Sequence, residues 1–143
     1  MTPQEKKLLE IELATRSQYG VICAIKPVAA FHDLPFSGSH KIKNVCIRED
    51  DTIFHFGPYE VHGVENIRPY LRPLSSMTEE EYGQYMEFIE WSHNDYDGTT
   101  TTCINKERLH EYLEFIYSHH LDDNNFIEKG LALEAPEGMY EKF

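Results

Sequence analysis

The segment that most restricts the fold of this 143-residue chain is Arg68-Pro69-Tyr70-Leu71-Arg72-Pro73. Two prolines four positions apart forbid a regular helix through this stretch. Each also drives the residue before it into extended geometry. Residues 66–74 therefore read as a stiff joint, neither helix nor flexible linker. The hydrophobic period changes across that joint. A single domain, residues 1–143, is expected, with a β-rich half (1–75) and a helical half (76–143).

The first half opens on a helix signature. Thr2 and Glu5 form a capping box around Pro3 at the first helical position. Leu9 and Leu13, flanked by Leu8 and Arg16, continue it, so a helix is expected over 3–16, stopped by Tyr19-Gly20. Short β-prone runs follow: Val21 to Ile25, ended by Pro27, then 43–48 and 52–56 around the turn at Glu49-Asp50-Asp51, then Tyr59 to Val64. Residues 30–41, rich in Pro, Gly, Ser and His, read as a loop. These runs predict a small antiparallel sheet, curled and even barrel-like.

The helical half is better marked. Thr78 and Glu81 form a second capping box, and Met77 and Tyr82 fill the positions of a hydrophobic staple. Tyr82, Tyr85, Met86 and Ile89 then share one face, and the helix reads as ending over Glu90–Asn94. Thr99 to Ile104 is one additional short strand. Asn105 caps a further helix carrying Leu109, Tyr112, Leu113 and Ile116, which ends at His119-His120. The fold class is α+β.

Composition narrows the functional classes. Eighteen aromatic residues against eight glycines and seven prolines are not a disordered composition. The longest apolar run, Val21 to Ile25, is far short of the ~20 residues that span a bilayer. Residues 1–13 lack the apolar core of a signal peptide, so a cytoplasmic protein is expected. Three widely spaced cysteines, Cys23, Cys46 and Cys103, suit neither a disulfide framework nor a zinc knuckle, and each reads as a reduced thiol packed in a strand. The net charge of −12 argues against direct binding to nucleic acid or an anionic membrane. That charge is lopsided: residues 1–75 hold 9 acids and 9 bases, whereas 76–143 hold 16 acids and 4 bases.

No pattern demands catalysis. Asp95-Tyr96-Asp97-Gly98-Thr99 has the letters of a phosphatase nucleophile loop, but that chemistry needs a buried apolar strand before the first Asp. A turn between a helix and a strand explains the same residues. The eight histidines show no helical His-x-x-x-His or His-x-His pair, so no metal and no cofactor are expected. There is no Gly-x-Ser-x-Gly elbow and no phosphate loop.

Binding has better candidates. Arg68 and Arg72 flank Tyr70 on a stiff segment and could clamp a carboxylate or phosphate. The alternative, which the sequence favours, is that they lock the joint by pairing with acids while Tyr70 and Leu71 pack. Glu79, Glu80 and Glu81 begin a stretch to Ser92 with five glutamates and no basic residue. They favour a helix N-terminus and could also receive a basic partner. The apolar strip 130–136 reads as a cover for the protein's own core, or else as a docking peptide.

Several strings carry a resemblance: Tyr19-Gly20-Val21-Ile22-Cys23, residues 67–81 (IRPYLRPLSSMTEEE), His119-His120, and residues 126–140 (FIEKGLALEAPEGMY). Together they resemble a group of small proteins of gut Bacteroides-type bacteria, often found in phage-like or mobile regions. The likeness runs over nearly the whole chain. It departs at 123–126, where the group tends to carry an aromatic-Arg-Gly stretch. The group brings no activity, so the resemblance implies origin and compartment only. The resulting expectation is a non-enzymatic accessory protein that binds a protein partner with a basic surface. The alternatives are an acidic mimic of nucleic acid that inhibits a DNA-binding or defence protein, and a small metal-dependent hydrolase.

Overall fold

The computed structural model describes residues 1–26 and 35–140. Helix α1 spans Pro3–Arg16. The Thr2 hydroxyl accepts from the Glu5 N–H (3.1 Å) and the Glu5 carboxylate from the Thr2 N–H (2.8 Å), the reciprocal cap its sequence encodes. Its inner face holds Leu9 and Leu13 but also Glu12 and Arg16, and Arg16 is only 1% exposed.

Strand β1 (Ile22–Ile25) pairs antiparallel with β2 (Ser37–Lys41). The expected loop over 30–41 is thus a strand from Ser37 onward. Ladder bonds to β1 override the weak propensity of Ser, Gly and His there. The expectations for Pro27 and residues 30–34 lie outside the described residues. Strands β3 (Asn44–Ile47), β4 (Thr52–His55) and β5 (Glu60–His62) form a separate antiparallel meander. The expected hairpin turn is closed by the Arg48 N–H donating to the Asp51 carbonyl at 2.8 Å.

The proline joint is itself a strand, β6 (Ile67–Pro73). Its residues are extended, as two prolines require, but it is no mere connector. It lies antiparallel to β1, with Cys23 opposite Pro69, and buries Ile67, Pro69 and Leu71. Proline donates nothing to a ladder, so a strand like this needs another partner where pairing stops. Tyr140 supplies it: its hydroxyl accepts from the Ile22 N–H (2.8 Å) and donates to the Tyr70 carbonyl (2.8 Å).

Helix α2 spans Glu79–Phe88 and is capped as predicted, Thr78 reciprocally with Glu81. It ends earlier than the apolar spacing suggests. Residues 89–94 are strand β7 (Ile89–Asn94), which forms a two-stranded hairpin with β8 (Thr100–Ile104). Asp95–Thr99 is therefore a turn between two strands. After a short 3-10 turn whose start Asn105 caps, α3 runs Leu109–Ser118 and buries Tyr112, Phe115 and Ile116. Leu109, at the start of that helix, is exposed instead.

The chain then returns to the first half. Strands β9 (Leu121–Asp122) and β10 (Leu133–Glu134) pair in parallel with β6. The main sheet is thus mixed and five-stranded, in the order β10-β6-β1-β2 with β9 also on β6. The helical half holds four strands where one was expected, since parallel two-residue pairings leave no sequence period. The sheets among the described residues do not close into a barrel. One apolar cluster joins α1, β1, β4 and β6 to Phe126, Leu131 and Ala132; a second joins Phe88, Tyr112, Phe115, Ile116 and Leu121. The fold is α+β, and no helix among the described residues is long and apolar enough to cross a membrane.

Candidate functional site

Two regions near the joint hold the candidate binding residues of the helical half and its exposed aromatic side chains. The first is the corner where β6 meets α2 and α3. Arg72 sits near the end of β6 and holds Glu81 in a two-pronged ion pair, Nη1–Oε2 at 2.9 Å and Nη2–Oε1 at 2.8 Å. It also donates to the carbonyls of Ser76 (3.2 Å) and His119 (3.3 Å). The same Glu81 carboxylate closes the α2 cap by accepting from the Thr78 N–H. The Arg72 guanidinium holds the Glu81 carboxyl down to about 2. His119 donates from Nδ1 to the Phe115 carbonyl (2.9 Å), leaving Nε2 3.8 Å from Glu81.

Arg68, earlier on β6, makes different contacts. Its guanidinium lies over the Phe36 ring at 4.5 Å and donates to the carbonyls of Gly130, Val64 and Ile67. Tyr70 is half-buried, and its hydroxyl donates to the Gly38 carbonyl at 3.4 Å. So Arg72 and Glu81 are brought together, while Arg68 and Tyr70 face the β-rich half. Glu79 and Glu80 point to solvent from the first turn of α2.

An open groove of about 1240 Å³ follows this corner, between Arg72, Glu81, His119, His120, Tyr19 and Tyr140. His120 is not the solvated helix-end group that its sequence position suggests. It takes a left-handed φ of 58°, is 1% exposed, and stacks face to face on Tyr140 at 3.7 Å. Burial, with Arg16 and Arg72 nearby, pushes it down to about 4, so its ring is neutral at pH 7. The hydroxyls beside His119 are engaged by backbone: Ser76 donates to Pro73 and Ser118 to Phe115. Among the described residues no three His, Cys, Asp or Glu side chains converge to hold a metal. Of the cysteines, Cys23 is buried, Cys103 half-buried and Cys46 exposed; β3 turns Val45 inward and so Cys46 outward.

Behind the groove, a buried ionic knot ties α1 to the returning chain. Arg16 donates to Glu12 (3.0 Å) and to the Leu121 carbonyl (2.9 Å), and lies over the Tyr117 ring at 4.8 Å. Asn124 donates to the other oxygen of Glu12. Burial, reinforced by Glu12, raises Asp123 to about 6. Asp122 accepts from the N–H groups of Phe126 and Ile127 and fixes the turn toward β10.

The second region is α2 with the β7–β8 hairpin. Of the large apolar side chains left exposed, Tyr82, Met86, Trp91 and Tyr96 belong to this stretch. Tyr82 borders an open apolar cleft of about 500 Å³ with Leu74, Met77 and Tyr85. Exposed Glu79, Glu80, Glu87 and Glu90 flank these side chains. Trp91 and His93 stack, with rings 14° apart. The hairpin tip is wired by its own acids: Asp95 accepts from Thr99 and Thr101 and contacts His93, and Asp97 accepts from the Thr99 N–H and hydroxyl.

Sequence reasoning missed Trp91, His93 and Tyr96 because residues 90–94 read as helix. The signal was present: polar and aromatic residues alternate before a short Gly-containing turn, and β-branched threonines follow it. The chain matches no known protein family, no curated protein and no solved structure.

Proposed function

We propose that this is a non-enzymatic accessory protein that binds a partner protein with a basic surface through its acidic helical half. Under this reading the protein acts in a phage or similar mobile element, as the resemblance implies. One observation carries the reading: exposed Tyr82, Met86, Trp91 and Tyr96 share a continuous stretch of chain with exposed Glu79, Glu80, Glu87 and Glu90. Tyr, Trp and Met are the residues that protein interfaces favour, and a rim of one charge selects a partner of the other. The charged groups of the corner and the knot are engaged with one another, so recognition falls to this outer face. Glu79 and Glu80 receive the partner, while Arg72 and Glu81 hold α2 in place.

The test is affinity capture with the folded chain as bait, from a lysate of the bacterium that encodes it. A parallel bait carries Glu79→Gln, Glu80→Gln, Glu87→Gln and Glu90→Gln. The reading expects a basic protein on the first bait, released by salt and depleted at least about tenfold on the second. Equal recovery on both baits, or no protein above background on either, contradicts it.

A further inference from the structure

The β7–β8 hairpin has the physical character of a strand left ready for another chain. Its two strands pair with each other, and neither outer edge carries a third strand among the described residues. A lone two-stranded ribbon in water is marginal, and folded proteins usually guard such edges with lysine, proline, bulges or cover. Residues 89–104 contain no lysine, arginine or proline. Only β7 is guarded, by the bulge between Ile89 and Trp91. Strand β8 is regular, and Thr100, Thr101 and Thr102 are exposed.

The register decides which groups β8 offers. At the turn the Asp95 N–H donates to the Thr99 carbonyl (2.7 Å) and the Gly98 N–H to the Asp95 carbonyl (3.1 Å). Gly98 takes φ 87°, so this is a three-residue loop ending in a glycine bulge. Hydrogen-bonded and non-hydrogen-bonded pairs alternate from there. Thr100, opposite Asn94, and Thr102, opposite Ser92, occupy the non-hydrogen-bonded positions, with backbone N–H and C=O turned to the outer edge.

Charge selects the occupant. Every charged side chain between Arg72 and Lys106 is acidic, including Glu90, Asp95 and Asp97 on the hairpin. A second copy would bring the same wholly acidic hairpin and be repelled by its like charge. A strand bearing lysine or arginine would be attracted.

We infer that the outer edge of β8 is a strand-addition site, at which an extended segment rich in lysine or arginine adds to the hairpin through the amides of Thr100 and Thr102. This rests on the reading of the acidic half as the binding surface, and it adds where the partner docks and in what conformation. Main-chain bonds give the hold, and alternate side chains give the selectivity.

Trp91 is the single tryptophan of the chain, so its fluorescence reports on the hairpin alone. The probe is a synthetic peptide of about ten residues alternating lysine and valine, titrated into the full-length protein. The expected result is a saturable change in Trp91 emission, with amide exchange at Thr100 and Thr102 slowed at least about tenfold. The same peptide N-methylated along one edge binds at least about tenfold more weakly, and a glutamate-for-lysine peptide does not bind. Thr102→Pro removes an outward N–H without touching the ladder to β7, and abolishes the effect. Should that variant lose the hairpin, Glu87→Lys with Glu90→Lys leaves the tip wiring of Asp95 and Asp97 in place and puts basic charge beside the hairpin, with the same expected loss. Equal binding of the methylated and unmethylated peptides would overturn strand addition while leaving the acidic face as a binding surface. So would protection confined to residues outside β8, or an unchanged titration by either variant. Failure of the broader reading has a different signature, equal capture by the charged and neutralised baits.

Discussion

The corner at Arg72 and the hairpin at Trp91 use the same kinds of residue in opposite ways. At the corner and the knot behind it, acids and bases face one another: Glu81 is forked by Arg72, and Glu12 by Arg16 and Asn124. On the outer face of α2 and the hairpin, Glu79, Glu80, Glu87 and Glu90 meet solvent and the rings of Tyr82, Trp91 and Tyr96 stay uncovered. Glu79, Glu80 and Glu81 are consecutive, yet only the third turns inward. Charge density alone therefore does not locate a binding surface. What supports the proposed surface is exposed charge beside exposed apolar area, as on Glu79, Glu80, Tyr82 and Met86.

The knot should give the largest effect when broken. Arg16→Met leaves Glu12 buried without its guanidinium, and urea unfolding is expected to show a loss of about 3–5 kcal/mol. Adding Glu12→Leu should restore most of it, since paired apolar replacement removes the uncompensated charge. Tyr140→Phe deletes the hydroxyl that joins β1 to β6. It strands the Ile22 N–H and the Tyr70 carbonyl, at an expected cost of about 1–3 kcal/mol with little change in denaturant slope.

At the corner, Glu81→Gln is expected to cost about 1–2 kcal/mol at pH 7. The folded-state value of about 2 lies below the ordinary 4.5, so this stabilisation is present above pH 4.5 and fades as pH falls toward 2. Unfolding midpoints of wild type and variant should converge over that window.

Two groups near the knot oppose each other in mild acid. His120, at about 4 in the folded state against 6.5, stabilises less and less as pH falls from 6.5 to 4. Asp123, at about 6 against 3.8, holds its proton better when folded, so its contribution improves over nearly the same fall. Asp123→Asn should gain about 1 kcal/mol at pH 7 and show a steeper loss between pH 6.5 and 4. The smallest effect belongs to the hairpin. Trp91→Ala or Tyr96→Ala should shift stability by no more than about 0.5 kcal/mol, while lowering recovery of the captured partner.

Local signals were legible wherever one residue's role is set by its near neighbours. Both capping boxes, the hairpin turn at 48–51 and the burial of Leu9 and Leu13 follow from short-range patterns. The proline spacing gave β6 its extended backbone but hid its place in the sheet. Its pairing depends on Leu133 and Leu121, about 50 to 60 residues away, and on a hydroxyl at Tyr140. Arg16 looked like a flanking residue because its burial depends on Glu12, Tyr117 and Leu121 together, and no hydrophobic period records a buried ion pair. Strand β7 was masked by helical spacing from Tyr82 to Ile89, which tertiary context stops at Phe88. Among the candidate residues, Glu79 and Glu80 differ from Glu81 only in the direction their side chains take from the first turn. That direction is set by Arg72, which the sequence places seven to nine positions away without showing that it folds back.

That tripeptide offers the most direct test. The measurement is the affinity of the captured partner for Glu79→Gln/Glu80→Gln, compared with wild type at matched unfolding midpoints. A stability unchanged within about 0.5 kcal/mol, with affinity weakened at least about tenfold and the remainder less sensitive to salt, is the predicted result. An affinity equal to wild type would contradict it, and would show that the outward acids of α2 are solvated charge alone.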